Sequence, residues 1–240
     1  MWNLGLILPI NLNNSFDIEA SVLYKDALII IINKPAGIAA HKGRGPYPCL
    51  DPYLHQLQYG LPTIPALAHR LDRETSGCLI LGRNRHGLRT MSNLFATNQV
   101  EKTYLALVHG TPFPLQGEIT APLLNLTEHS YHWRMKCDPL GKESRTSYET
   151  LKILNGYSLV QLKPHTGRTH QLRVHCAFLG CPIVGDTIYG NQELDGMFEG
   201  LSGLHLHASA LKVPLYYMQP NIQVQAPSPT HMLKLLHKSA

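Results

Sequence analysis

The sequence predicts an α+β fold built on a mixed, mostly antiparallel sheet with flanking helices. Three observations predict it. Residues 85–99, RHGLRTMSNLFATNQ, place Leu88, Met91, Leu94 and Phe95 at helical intervals, so that one face can pack on a sheet. The runs 102–110 (KTYLALVHG) and 157–164 (YSLVQLKP) read as strands. Strands and helices also follow one another without the βαβα rhythm of a parallel sheet.

Taken in order, residues 1–17 read as a tail or short leading element. From Ile18 the pattern becomes dense: IEASVLY, a turn at Lys25-Asp26, then the β-rich run ALIIIINKP ending at Lys34-Pro35. Residues 41–52, HKGRGPYPCLDP, are crowded with Gly and Pro and read as a loop. CLILG at 78–82 is an apolar strand, followed by the 85–99 helix and the 102–110 strand, which Gly110 stops. The 157–164 strand leads through HTGRT into HQLRVHCAFLG at 170–180, a helix with Thr169 near its N-cap and Gly180 at its stop. The end, 228–240, is basic and amphipathic enough for a short helix, but a frayed tail is the expectation there.

Composition narrows the classes. Hydrophobic residues make up 44% and charged residues 15%, as in an ordinary globular protein with a sizeable core. The longest apolar run, LIIIIN at 28–33, is far too short to span a bilayer, so no membrane partner is expected. The N-terminus lacks a basic n-region and a small-residue cleavage site, so a signal peptide is not expected. Five cysteines, an odd number with no CxxC pairing, point to free thiols in a reducing, cytoplasmic setting. A net charge of +5 suits a polyanionic partner without requiring one. A monomer is the default expectation.

Chemistry concentrates in three segments. In 68–77, AHRLDRETSG, Asp72 stands between Arg70 and Arg73, just before an apolar strand. Alone, this is as readily a surface ion pair as a reactive group. In 163–173, KPHTGRTHQLR, Arg168 falls in a loop and Arg173 on the first turn of a helix, where exposed amides and cations favour anions. Tyr104 lies near the start of an apolar strand, where a core tyrosine is the ordinary reading. His165, His170 and His175 recur every five residues, which turns each about 140° from the last on a helix. That spacing fits packing and hydrogen bonding better than the i, i+4 spacing of a metal site.

Together these segments resemble the RluA-type RNA pseudouridine synthases. The resemblance rests on HRLDRETSG (69–77), NKPAGIAAH (33–41), KTYLA (102–106), a looser GKESRTSYE (141–149), GRTHQLRVH (167–175), GDTIYG (185–190) and LHASAL (206–211). It implies a pseudouridine synthase catalytic domain over 18–226 with an RNA-binding cleft, a C-terminal tail at 227–240, and no separate N-terminal RNA-binding module. By position it makes Asp72 the essential aspartate, Tyr104 the tyrosine that stacks on the target base, and Arg173 the basic partner of Asp72. Arg70 is the residue that enters the space the flipped base leaves. His69 and Leu206 line the substrate site, Leu206 on its floor. Lys34, Lys102, Arg168 and residues 134–145 are the expected phosphate contacts along an RNA track.

The implied reaction isomerises uridine to pseudouridine in structured RNA, ribosomal or transfer, after base flipping. It changes no oxidation state, so no cofactor and no metal is implied. Two other readings remain open at this point. One is a catalytically silent RNA-binding or assembly protein with the same fold, which would be expected to lose one of Asp72, Tyr104 and Arg173. The weaker one is a metal hydrolase built on the histidines.

Overall fold

A computed structural model of the chain describes residues 16–43, 46–126, 134–190 and 203–237. The expected leading tail therefore lies almost wholly outside the described residues. The chain divides into two compact units, exchanging between them after Val100 and again after His207.

The first unit holds the N-terminal part and the stretch from Ala208. Strand β1 (Val22–Lys25) turns at Asp26, whose Oδ1 accepts hydrogen bonds from the amides of Leu28 and Ile29, and returns as β2 (Ile29–Lys34). All four isoleucines of β2 are buried on both faces, which explains the unbroken apolar run. After a loop and a 3₁₀ helix at Asp51–Gln58, the short β3 (Ala66–Leu67) pairs with β4 (Ser76–Gly82). Helix α1 (Arg85–Ala96) starts at Asn84, whose side chain accepts from the Gly87 amide, and buries Met91 and Leu94. The β1–β2, β2–β4 and β3–β4 ladders are all antiparallel.

The second unit carries four adjacent antiparallel strands. Strand β5 (Glu101–His109) is followed by β6 (Gln116–Ile119), the hairpin β7–β8 (Leu123–Asn125 and Met135–Cys137), β9 (Thr146–Leu154) and β10 (Tyr157–Pro164). The spatial order β5-β10-β9-β6 follows from three antiparallel ladders and puts the chain neighbours β5 and β6 at opposite edges of the four. Helix α2 (Gln171–Phe178) packs its Leu172 and Cys176 into the apolar cluster on this sheet. Strand β11 (Leu206–Val213) begins in this unit and continues into the first, where it pairs antiparallel with β12 (Ile222–Gln225).

Two expectations about helices change. The N-cap of α2 is His170, in the left-handed region at φ 54°, and its side chain does not cap. Gln171 braces the loop before the helix: its Oε1 accepts from the Arg168 amide and the Thr166 hydroxyl. The C-terminal stretch is not frayed throughout, because α3 (Thr230–His237) forms and buries Met232. All five cysteines are free. Among the described residues, no helix is long and apolar enough to cross a membrane.

Candidate active site

In the first unit, the HRLDRETSG segment is built as a departure from a strand. Ala68 still donates to the Ile80 carbonyl as a strand residue would. The return bond is taken over by a side chain: the Ile80 amide donates to His69 Nε2 at 3.0 Å. An accepting Nε2 puts the ring proton on Nδ1. The ring also lies against Phe95, with centroids 4.7 Å apart. His69 is thus fixed in the scaffold, and the backbone leaves the sheet immediately after it. Arg70 is exposed, Leu71 is buried, and Asp72 is half-buried.

Asp72 sits at the start of a tight turn that the Thr75 amide closes on its carbonyl at 3.1 Å. The next carbonyl, of Arg73, accepts from the Gly37 amide at 2.9 Å and from Lys34 Nζ at 3.0 Å. Lys34 also donates to the carbonyls of Pro35 and Ile38 at 2.7 and 2.8 Å. Its side chain is fully buried, so the expected phosphate contact at Lys34 does not hold: all three bonds go to backbone oxygens inside the unit. Burial lowers its pKa to about 7 against the opposing pull of Glu74 and Asp72. Lys34 therefore stitches the NKPAG loop to the loop carrying the aspartate.

The two arginines beside Asp72 face different tasks. Arg73 pairs with Glu74 at 2.5 Å and lies over the Tyr47 ring at 3.8 Å. Gly77 then lets the chain back into the sheet. Its φ is +109°, and a Cβ there would stand 2.2 Å from the Ala208 carbonyl oxygen.

In the second unit, Tyr104 is on β5, opposite Leu162 of β10, and packs on the apolar cluster that contains buried Leu206. Lys102 is two residues earlier, on the same face of the strand. It is half-buried, and burial lowers its pKa. Arg168 is exposed in the loop before α2, its Nε donating to the Glu143 carbonyl at 2.9 Å. Of the 134–145 segment, Lys136 pairs with Asp138 at 2.6 Å, and Arg145 is exposed beside Glu118 at 3.8 Å.

Arg173 is buried at 5% exposure on α2 and makes a bidentate pair with Asp186. Nε donates to Oδ2 and Nη2 to Oδ1, both at 2.7 Å. Asp186 Oδ1 also accepts from the amides of Ile188 and Tyr189. Burial pushes this carboxyl up, but the Arg173 bonds and charge together with the two amides outweigh it and hold it below its usual range. The histidines each have their own partners: His165 with Ser147, His170 with Tyr189, His175 with Thr146 and Ser144.

The profile of the RNA pseudouridylate synthase family matches residues 28–178, more than half of the chain, including both the Asp72 and the Arg173 segments. The chain belongs to that family. An uncharacterized RNA pseudouridine synthase of Zymomonas mobilis is 43% identical over 209 residues, spanning 87% of this chain and 93% of the relative. Ribosomal large subunit pseudouridine synthase C of Vibrio cholerae is 34% identical, spanning 92% of this chain and 70% of the relative. The human protein RNA pseudouridylate synthase domain containing 4 superposes with a TM-score of 0.75 at 28% identity, covering 92% and 93% of the two chains.

The α+β fold read from the sequence is accordingly that of an RNA pseudouridine synthase, and the activity is an isomerisation. The residue that the sequence reading passed over is Asp186. GDTIYG was legible as a motif, but an acid flanked by Gly and Thr gives no sign that it is buried against an arginine thirteen residues earlier. The one hint was a basic residue on the inward side of an apolar helix, since a buried guanidinium requires a buried partner.

Proposed function

We propose that this pseudouridine synthase acts on uridines of large-subunit ribosomal RNA in the cytoplasm, as a monomer, with 18–226 as its catalytic domain. The names of the relatives support the ribosomal substrate. The free cysteines support the compartment.

Asp72 is the reactive group. It attacks or assists at the sugar as the N1–C1′ bond breaks. The uracil then turns and rejoins through C5, and the C5 proton is lost while N1 gains one, so that product and substrate are isomers. The observation that carries this reading is the loop around Asp72: it is anchored at its backbone by Lys34 and Gly37, and the Asp72 side chain within it is half-buried. Tyr104 stacks on the flipped uracil, worth about 1–3 kcal/mol per base, and its oxygen, once deprotonated to the phenolate, takes the C5 proton and becomes the hydroxyl again. Arg70, exposed and held by no hydrogen bond or ion pair among the described residues, fills the gap left by the base. Arg173 orients Asp72, while Lys102, Arg168 and Arg145 follow the RNA backbone. Leu206 supports Tyr104 from beneath.

The test is to map pseudouridine across total cellular RNA with and without the gene. Loss at one or a few large-subunit uridines is expected. Loss confined to transfer RNA would redirect the substrate, and an unchanged map would end the reading.

A further inference from the structure

Arginine has a long, flexible side chain, and its planar guanidinium is useful to a reacting carboxylate only when its plane and direction are fixed. In this chain that fixing comes from one turn. Gly185, at φ +74°, passes so close to Gly203 that a Cβ would lie 1.9 Å from its carbonyl oxygen. The turn then directs Asp186 inward, where the amides of Ile188 and Tyr189 hold its Oδ1 at 2.9 and 3.0 Å. The carboxylate grips the Nε and Nη2 edge of Arg173. The ring of Tyr189 faces the guanidinium at 5.3 Å, and its hydroxyl is itself tied to His170 and to the Met135 amide. Arg173 is thus gripped along one edge and faced by a ring, and its buried charge is already matched.

We propose that Asp186 is a positioning residue for catalysis. It aims the remaining edge of Arg173 and neutralises most of its net charge, so that Arg173 acts as a directed hydrogen-bond donor rather than as a bare cation. The inference rests on the proposed pairing of Arg173 with Asp72. It differs from a purely structural role for Asp186 in predicting slow chemistry on RNA that still binds.

Single-turnover release of tritium from an in vitro transcript of large-subunit rRNA, labelled at uridine C5, measures the chemical step directly. Asp186→Asn is expected to react about 100-fold more slowly than the parent, the usual penalty for a catalytic group displaced by an ångström. Its affinity for the transcript should stay within about threefold, since rate and binding report separate losses. Arg173→Met should be at least as slow, and adding Asp186→Asn to it should cost nothing more. Asp186→Asn at the parental rate beside an inactive Arg173→Met overturns the inference and leaves the catalytic reading standing. A double variant clearly slower than Arg173→Met alone also overturns it, because Asp186 would then act by another route. Arg173→Met at the parental rate removes the Arg173 reading itself, and the inference with it. If Asp186→Asn does not fold, Asp186→Glu keeps the charge but shifts it by a methylene. A loss of about 10-fold is then expected, and the parental rate overturns the inference.

Discussion

Asp72 and Asp186 are two aspartates of one chain placed in opposite circumstances. Asp72 stands on a half-buried turn whose backbone is clamped by Lys34 and Gly37. Asp186 is 1% exposed and receives its bonds from an arginine and two amides. The difference separates two ways of using a carboxyl group. On the proposed reading of Asp72, a reacting acid has its position set through the main chain before it meets the substrate. A supporting acid spends its oxygens on neighbours and transmits order through them. Removing each charge should therefore damage different properties.

The largest effect is expected at Asp72. Asp72→Asn keeps the shape of the side chain and removes the reactive charge, so turnover should fall on the order of 10⁴-fold. The half-buried side chain keeps its volume, so the fold and RNA binding should hold. Tritium release and urea unfolding on one preparation check both halves. Appreciable turnover in this variant would remove Asp72 from the mechanism.

Asp186→Asn reverses the emphasis. It leaves a buried guanidinium without its counter-charge, which typically costs about 3–5 kcal/mol of folding stability. The folded pKa of Asp186 is depressed, so the stabilisation from the pair is fully present above the unfolded carboxylate pKa and is lost as pH falls from there through the lower folded pKa. Parent and variant should therefore converge in acid. Urea midpoints at neutral pH and near pH 3 measure this, and a gap that stayed constant with pH would show that the pair is not the cause.

Gly77→Ala breaks the comparison at the loop instead of the acid. The added methyl meets the Ala208 carbonyl in a backbone region unsuited to L side chains, at an expected cost of about 2–3 kcal/mol. Because Gly77 ends the segment that displays Asp72, activity should drop before global unfolding does. Retained activity at lowered stability would mean that the turn at 72–75 is set without β4.

These contrasts show which parts of the molecule sequence can announce. Strands β2, β4, β5 and β10 and helix α1 were legible because local periodicity and burial agree in them. The unbroken isoleucines of β2 are the plainest case. Strands β6 to β9 were not read, since β9 alternates unevenly and β7 and β8 are only three residues long. Asp72, Arg70 and Tyr104 stood out through motif order. Lys34 was misread because an ammonium surrounded by carbonyls of the chain itself looks, in sequence, like any exposed lysine of a loop. Asp186 was missed because its pairing is non-local. Both failures concern buried charge, whose partners are fixed only by the fold.

The last prediction, with no expected effect on turnover, probes that buried lysine. Three carbonyls around one nitrogen suit an ammonium with three protons, while burial drives a proton off, and the balance falls at about 7. An unfolded lysine keeps its proton to about 10.4. Between these values the unfolded chain binds more protons than the folded one, so this group makes stability rise with pH across that window. Relative to Lys34→Met, the parent should therefore gain stability from about pH 7 upward, and the difference should be constant below it. Urea unfolding of the two proteins from pH 6 to 10 measures the slope. A flat difference would mean that the carbonyls hold the third proton throughout, making Lys34 a permanent cation beneath the loop that presents Asp72.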